Sequence, residues 1–91
     1  MNQIWKYKLE IKDKQDLTMP VGAEIISVST QHGVPHLWAI VDSETDDYKP
    51  VKIITIGTGH DFKKEDVGRF IGTYKVSNDA FVFHVFEEKK A

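Results

Sequence analysis

The sequence contains no cysteine, which excludes disulfide bonds, a thiolate nucleophile and the cysteine-based zinc sites of small domains. Its charge has no strong excess of one sign, since 12 Lys and Arg residues stand against 14 Asp and Glu residues for a formal net charge of -2. A chain without a basic field is not expected to bind nucleic acid or an anionic membrane. These features predict a cytoplasmic protein.

Long hydrophobic runs are also missing. No stretch approaches the roughly 20 apolar residues that a membrane helix needs, and the first residues lack the charged-then-apolar order of a signal peptide. The only helical signal is one turn between Asp61, a potential cap, and Gly68, a potential terminator. We expect one β domain over residues 1–91, with a modest core that oligomerisation would stabilise.

The pattern that dominates the sequence is that of β-strands. Its clearest element is a hairpin over residues 24–42, whose two arms are rich in β-branched and aromatic residues and meet at His32-Gly33-Val34-Pro35. Further strands are predicted at 4–12, 51–56, 69–77 and 80–87, with a short extended piece at 17–22. The fold prediction is all-β: a small β-sandwich or partly open β-barrel of five to six mostly antiparallel strands, with at most one short helix.

Strict alternation in the hairpin places Ile26, Val28 and Thr30 on one face. It places Ile25 on the other face, together with Trp38 and Ile40 of the returning arm. Because both faces are partly apolar, one is expected to form the core and the other to need a cover.

A glycine-rich turn, Gly57-Thr58-Gly59-His60, follows the strand at 51–56. Two glycines would let backbone N–H groups point inward at an anion, with Thr58 and His60 adding side-chain donors. The turn lacks the lysine of a P-loop and the third glycine of a dinucleotide fingerprint. The alternative is a strand-ending turn that simply requires positive φ, and both interpretations stay open.

Catalytic and metal motifs are absent from the pattern. The four histidines, His32, His36, His60 and His84, have no metal-site spacing, and none is followed two positions later by Ser or Thr as in two-histidine phosphoesterases. No serine lies in a Gly-x-Ser-x-Gly elbow, and the acidic loop at 43–50 lacks a calcium-loop pattern. We predict no catalytic residue, no metal ligand and no cofactor.

Six stretches together resemble a family of small proteins encoded by tailed bacteriophages and prophages. They are Ile4-Trp5-Lys6-Tyr7, Met19-Pro20-x-Gly22-Ala23-x-Ile25-x-Ser27-Val28, Leu37-Trp38-Ala39-x-Val41-Asp42, Gly57-Thr58-Gly59-His60, Ile71-Gly72-Thr73 and Phe81-x-Phe83-His84-Val85-Phe86. The resemblance implies a phage protein that works in the host cell cytosol, and it brings no established activity with it.

In that context we expect a non-enzymatic phage accessory protein, an anti-defence protein that sequesters a small nucleotide-derived signal as a homo-oligomer. Sequestration requires a closed pocket, aromatic stacking and anion donors. Two alternatives are a protein-binding inhibitor of a host defence enzyme and a small hydrolase using His60 with Asp61 or His84. The predicted ligand-binding residues are Trp38, Gly57, Thr58, Gly59, His60, Arg69 and His84.

Overall fold

The computed structural model describes residues 1–90 and contains seven β-strands joined by short connections. The strands are β1 (Asn2–Lys8), β2 (Lys14–Pro20), β3 (Glu24–Gln31), β4 (Val34–Asp42), β5 (Tyr48–Gly57), β6 (Val67–Val76) and β7 (Phe81–Glu88). They form two sheets, in the orders β1-β4-β3 and β2-β5-β7-β6, and every strand pairing is antiparallel. The all-β prediction is confirmed.

The predicted strand number is wrong, since the structure has seven strands instead of five to six. The additional strand is β2, which the proline and glycine signals had reduced to a short extended piece. Pro20 is the last residue of β2, and β2 is an edge strand that pairs only with β5. A proline in that position breaks few ladder hydrogen bonds. The two sheets described by residues 1–90 remain separate and do not close into a barrel.

A shared core lies between the two sheets. The Cα positions extend over 40 × 34 × 16 Å, which fits two sheet layers stacked about 10 Å apart. Trp5 and Tyr7 of β1 pack against the core as partly buried residues. The buried members of the core are Leu9, Met19, Ile25, Val28, Leu37, Ala39, Val41, Ile53, Tyr74, Val76 and Val85.

The β3–β4 hairpin turns at His32 and Gly33, whose φ values of 53° and 78° suit a two-residue connection. The predicted hairpin is therefore confirmed, but its face assignment is wrong at the start of β3. A register shift between Ile25 and Ser27 inserts one extra residue. Ile25 consequently joins Val28 in the core, whereas Ile26 is 41% exposed on the opposite face.

The predicted helical turn is present only as a single 3₁₀ turn at Lys64–Asp66. The N-cap residue of this turn is Lys63, which makes no side-chain capping bond, so the predicted cap at Asp61 is wrong. Gly68 does not end the turn but lies within β6, where a Cβ atom would sit 2.6 Å from the carbonyl oxygen of Glu88. None of the residues the structure describes belongs to a helix long and apolar enough to cross a membrane.

Candidate functional site

The glycine-rich turn closes β5 as a β-turn. The N–H of His60 donates to the carbonyl oxygen of Gly57 at 3.1 Å, and Gly59, with φ of 86°, occupies the third position. A type II turn requires positive φ there, which explains this glycine. The N–H of Thr58 donates to the carbonyl oxygen of Val82 at 3.1 Å. Two of the backbone donors that were candidates for an anion are therefore bonded within the protein.

His84 lies beside this turn because β7 pairs with both β5 and β6. It stands opposite Ile56 in β5 and opposite Thr73 in β6. Its Nε2 atom lies 2.7 Å from Oγ1 of Thr58, and its Nδ1 atom lies 3.0 Å from Oγ1 of Thr73. Both ring nitrogens thus have a hydroxyl partner, and the ring is held in one orientation.

The hydroxyl of Thr58 also lies near a backbone carbonyl oxygen, and this contact assigns a direction to the two hydrogen bonds of the His84 ring. Oγ1 of Thr58 lies 3.3 Å from the carbonyl oxygen of Val82, which also accepts the N–H of Thr58 and to which the hydroxyl can only donate. When Thr58 donates to Val82, it accepts from the Nε2–H of His84. The Nδ1 atom of a neutral His84 then accepts from the hydroxyl of Thr73.

Thr58 and His84 line an open cleft of about 250 Å³ on the outer face of the four-stranded sheet. His60 occupies the space above Gly57, where a Cβ atom would lie 3.0 Å from the His60 ring. We call this the His84 cleft, and its lining residues are Ile56, Gly57, Thr58, Gly59, His60, Phe62, His84 and Phe86.

Aromatic side chains surround the polar centre of the His84 cleft. The ring of Phe86 packs against Phe62 with a centroid distance of 6.2 Å and against Phe70 with one of 5.3 Å. Phe62 is 49% exposed and Phe70 is 51% exposed, so both offer apolar surface to a ligand or partner. Sequence reasoning missed both residues. A phenylalanine within the polar segment after His60 was the available signal for Phe62.

A second open cleft of about 280 Å³ adjoins the first and shares four lining residues with it: Ile56, Gly57, His60 and Phe62. Its polar lining includes Lys14 and three carboxylates, those of Asp13, Asp61 and Asp66. This side therefore has a negative balance of charge, which disfavours a phosphate group. In residues 1–90, no group of three or more His, Asp or Glu side chains is arranged to hold a metal ion.

The structure brings together five of the seven predicted ligand-binding residues: Gly57, Thr58, Gly59, His60 and His84. The remaining two, Trp38 and Arg69, lie elsewhere.

Trp38 lies on the outer face of the three-stranded sheet, near Ile4 and Ile26, with its ring centroid 6.1 Å from that of His36. The aromatic group expected to stack a ligand at the turn is therefore on the other sheet.

Arg69 is engaged in a structural contact at the junction of the sheets. Its Nη2 atom lies 3.1 Å from Oε1 of Glu87 and also donates to the carbonyl oxygen of Ile25 in the opposite sheet. Its guanidinium group is thus already bonded within the protein.

No curated protein and no solved structure matches the chain. A family model does match, and it extends over residues 1–91, which is the whole sequence. The hairpin, the glycine-rich turn and the His84 cleft all lie within the matched range. The chain therefore belongs to the family described as a domain of unknown function, DUF7352.

Proposed function

We propose that the protein is a non-enzymatic phage accessory protein with an anti-defence role, and that it binds a small nucleotide-derived signal in the His84 cleft. The observation that carries this proposal is the bonded trio of Thr58, His84 and Thr73 beside the exposed ring of Phe62. A nucleobase combines a flat apolar face with polar edges. An exposed aromatic ring next to fixed hydrogen-bonding groups is suited to that combination.

The base of such a ligand stacks on Phe62 and directs a polar edge towards Thr58 and His60. Its phosphates point away from Asp61 and Asp66 because like charges repel. Lys75 follows Thr73 by two residues on the same face of β6, roughly 7 Å along the strand. In this proposal Lys75 supplies the positive charge for the phosphates, since Arg69, one of the ligand-binding residues predicted from sequence, is bonded within the protein.

Retention of a signal requires more enclosure than one chain provides. The His84 cleft, at about 250 Å³, is smaller than the roughly 300–1,000 Å³ of most small-molecule pockets, and it is open. Nanomolar retention corresponds to about 12 kcal/mol of binding free energy. A second copy that packs its own exposed Phe62 against the first would enclose the ligand, and a homo-oligomer is therefore part of the proposal.

The test is calorimetric titration of the purified protein with purine and pyrimidine mononucleotides and cyclic dinucleotides, accompanied by native mass spectrometry. Phe62→Ala should weaken binding about 5-fold to 150-fold, since stacking on one aromatic ring contributes about 1–3 kcal/mol. Trp38→Ala is the matched control and should bind as the original chain does, because Trp38 lies on the other sheet. Equal losses in both variants, or no nucleotide binding at all, would refute the proposal.

A protein partner is the second candidate, and one observation favours it. Phe62 and Phe70 are each about half exposed on an open sheet face, and exposed aromatic residues commonly anchor protein interfaces. Phe70 does not line the His84 cleft. Phe70→Glu should therefore leave nucleotide affinity unchanged but abolish association with a protein inhibitor target. This variant separates the two candidates in pull-down and calorimetry experiments run in parallel.

A further inference from the structure

A larger cleft lies at the opposite end of β5 from the His84 cleft. It has a volume of about 390 Å³ and lies at the beginning of the strand. Five residues of β5 separate Lys52 from Gly57, a distance of roughly 17 Å at the usual rise of a strand. We call it the lysine cleft, and its lining residues are Met19, Ala23, Ile25, Lys49, Pro50, Val51, Lys52, Glu87, Glu88, Lys89 and Lys90.

The apolar part of the lysine cleft comes from both sheets. Met19 and Val51 belong to the four-stranded sheet, whereas Ile25 belongs to β3 of the three-stranded sheet. Ala23 immediately precedes β3. Met19 and Ile25 are buried members of the core. These two residues form the closed floor of the cleft, being 0% and 2% exposed, and the apolar surface that a ligand can reach is that of Ala23, Pro50 and Val51.

The rim of the lysine cleft is positively charged, although the whole chain has a net charge of -2. Four lysines face two glutamates, and one of these, Glu87, is bonded to Arg69 at 3.1 Å. Lys52 has a long contact of 3.6 Å with Asp16. Among residues 1–90, Lys49 and Lys89 make no ion pair.

We propose that the lysine cleft binds a small anionic amphiphile, with an aliphatic body against Ala23, Pro50 and Val51 and a single carboxylate or phosphate head group at the lysines. Lysine ammonium groups act as point charges and can bind either head group, because they do not impose the bidentate geometry of arginine. No aromatic side chain lines this cleft, so an aliphatic body suits it better than a nucleobase. This site is independent of the function proposed for the His84 cleft.

The test is an NMR titration of the full chain, which reports the position of binding and the affinity together. The probes are octanoate and octyl phosphate, compared with neutral 1-octanol and with inorganic phosphate. Both anionic amphiphiles should shift the amide resonances of Ile25, Val51 and Lys52 and leave those of Thr58 and His84 in place. Octanol and inorganic phosphate should each bind at least about tenfold more weakly than the anionic amphiphiles, because octanol lacks the charged head group and inorganic phosphate lacks the aliphatic body. The tighter of the two amphiphiles identifies the head group.

Charge reversal supplies the matched comparison. The double variant Lys49→Glu with Lys89→Glu should lower octanoate or octyl phosphate affinity about tenfold or more, whereas Lys8→Glu on the outer face of β1 should not change it. Ala23→Leu should lower the affinity of both amphiphiles by filling the cleft. Three outcomes would overturn the proposal. Octanol could bind as tightly as the anionic amphiphiles, or the double variant could bind those amphiphiles with unchanged affinity. The amphiphiles could also give no saturable shift up to about 1 mM.

Discussion

Oγ1 of Thr58 lies 2.7 Å from Nε2 of His84, although 26 residues separate them in the sequence. The contact follows from the pairing of β5 with β7, which sets Ile56 opposite His84 and brings the turn after β5 next to the ring. The polar centre of the His84 cleft is therefore formed by strand register and exists before any ligand binds. A preformed site loses less conformational entropy when it is occupied.

The first prediction concerns the tautomer of His84. When the imidazole is neutral, the proton should reside on Nε2, because Thr58 uses its own proton to bond Val82 and Thr73 donates to Nδ1. Long-range ¹H–¹⁵N NMR at alkaline pH distinguishes the two tautomers. Thr58→Val should shift the population towards the Nδ1–H form, whereas Thr45→Val in a distant loop should have no effect. A dominant Nδ1–H signal in the unsubstituted chain would contradict the prediction.

Local sequence signals were sufficient for much of the fold. Alternation and turn residues predicted the β3–β4 hairpin and its joint at His32 and Gly33, because such a turn needs positive φ over two residues. They did not predict the irregularity between Ile25 and Ser27. No glycine marks that position, so uninterrupted alternation was the natural expectation, and it placed Ile25 and Ile26 on the wrong faces.

The site was predictable as a set of residues but not as an arrangement. The glycine-rich turn stood out because glycine permits the positive φ that Gly59 adopts. The assignment of strands to sheets, however, depends on long-range packing that no local pattern encodes. Trp38 was therefore assigned to the predicted site although it belongs to the other sheet. Phe62 and Phe70 were missed, although both pack against Phe86.

The second prediction compares two glycines of β6 that permit close approaches of different kinds. A Cβ atom at Gly68 would lie 2.6 Å from the carbonyl oxygen of Glu88, which the sheet holds in place. At Gly72 it would lie 2.8 Å from a methyl group of Val28, which can rotate or shift. Gly68→Ala should therefore lower the free energy of unfolding by about 2–3 kcal/mol, and Gly72→Ala by about 1–2 kcal/mol. Urea denaturation of both variants measures the order, and the reverse order would contradict the assigned contacts.

The third prediction concerns the buried hydroxyl of Tyr74, which has no hydrogen-bond partner within residues 1–90. Its side chain is 2% exposed, and its ring packs against Phe83 at a centroid distance of 5.4 Å. Tyr74→Phe retains the ring contact and removes the unpaired group. The free energy of unfolding should stay equal or rise, by up to about 1–3 kcal/mol. A fall would show that an ordered water or another group satisfies the hydroxyl.

The same residue has a consequence at alkaline pH. Burial raises the pKa of Tyr74 above its ordinary value of 10.0, so the folded state holds the phenol proton more tightly than the unfolded state does. The associated stability is present below pH 10 and is lost as the pH rises from 10 towards the folded-state value. Tyr74→Phe should therefore lose less stability than the original chain between about pH 9 and about pH 11. Identical pH profiles of the two chains would contradict the assignment.

The last prediction concerns Arg69, which joins the two sheets by bonding Glu87 within its own sheet and the carbonyl oxygen of Ile25 in the other. The side chain of Glu87 is only 20% exposed, so removing its partner leaves a partly buried carboxylate unpaired. Arg69→Met preserves the length of the side chain and should lower the free energy of unfolding by about 1–3 kcal/mol. Arg69→Lys should recover part of this loss, because lysine can reach one acceptor but cannot make the paired contact.

The control for Arg69 is Lys12→Met, which removes the ion pair with Glu10, a pair whose two side chains are both more than half exposed. Solvent screens such a pair, so the change in unfolding free energy should be too small to resolve. Equal effects of Arg69→Met and Lys12→Met in urea denaturation would mean that the contact between the sheets contributes little. If Arg69 instead binds the ligand, as predicted from sequence, Arg69→Met would lower nucleotide affinity and leave stability intact. Measuring both quantities on the same variant decides between the structural role and the binding role of this residue.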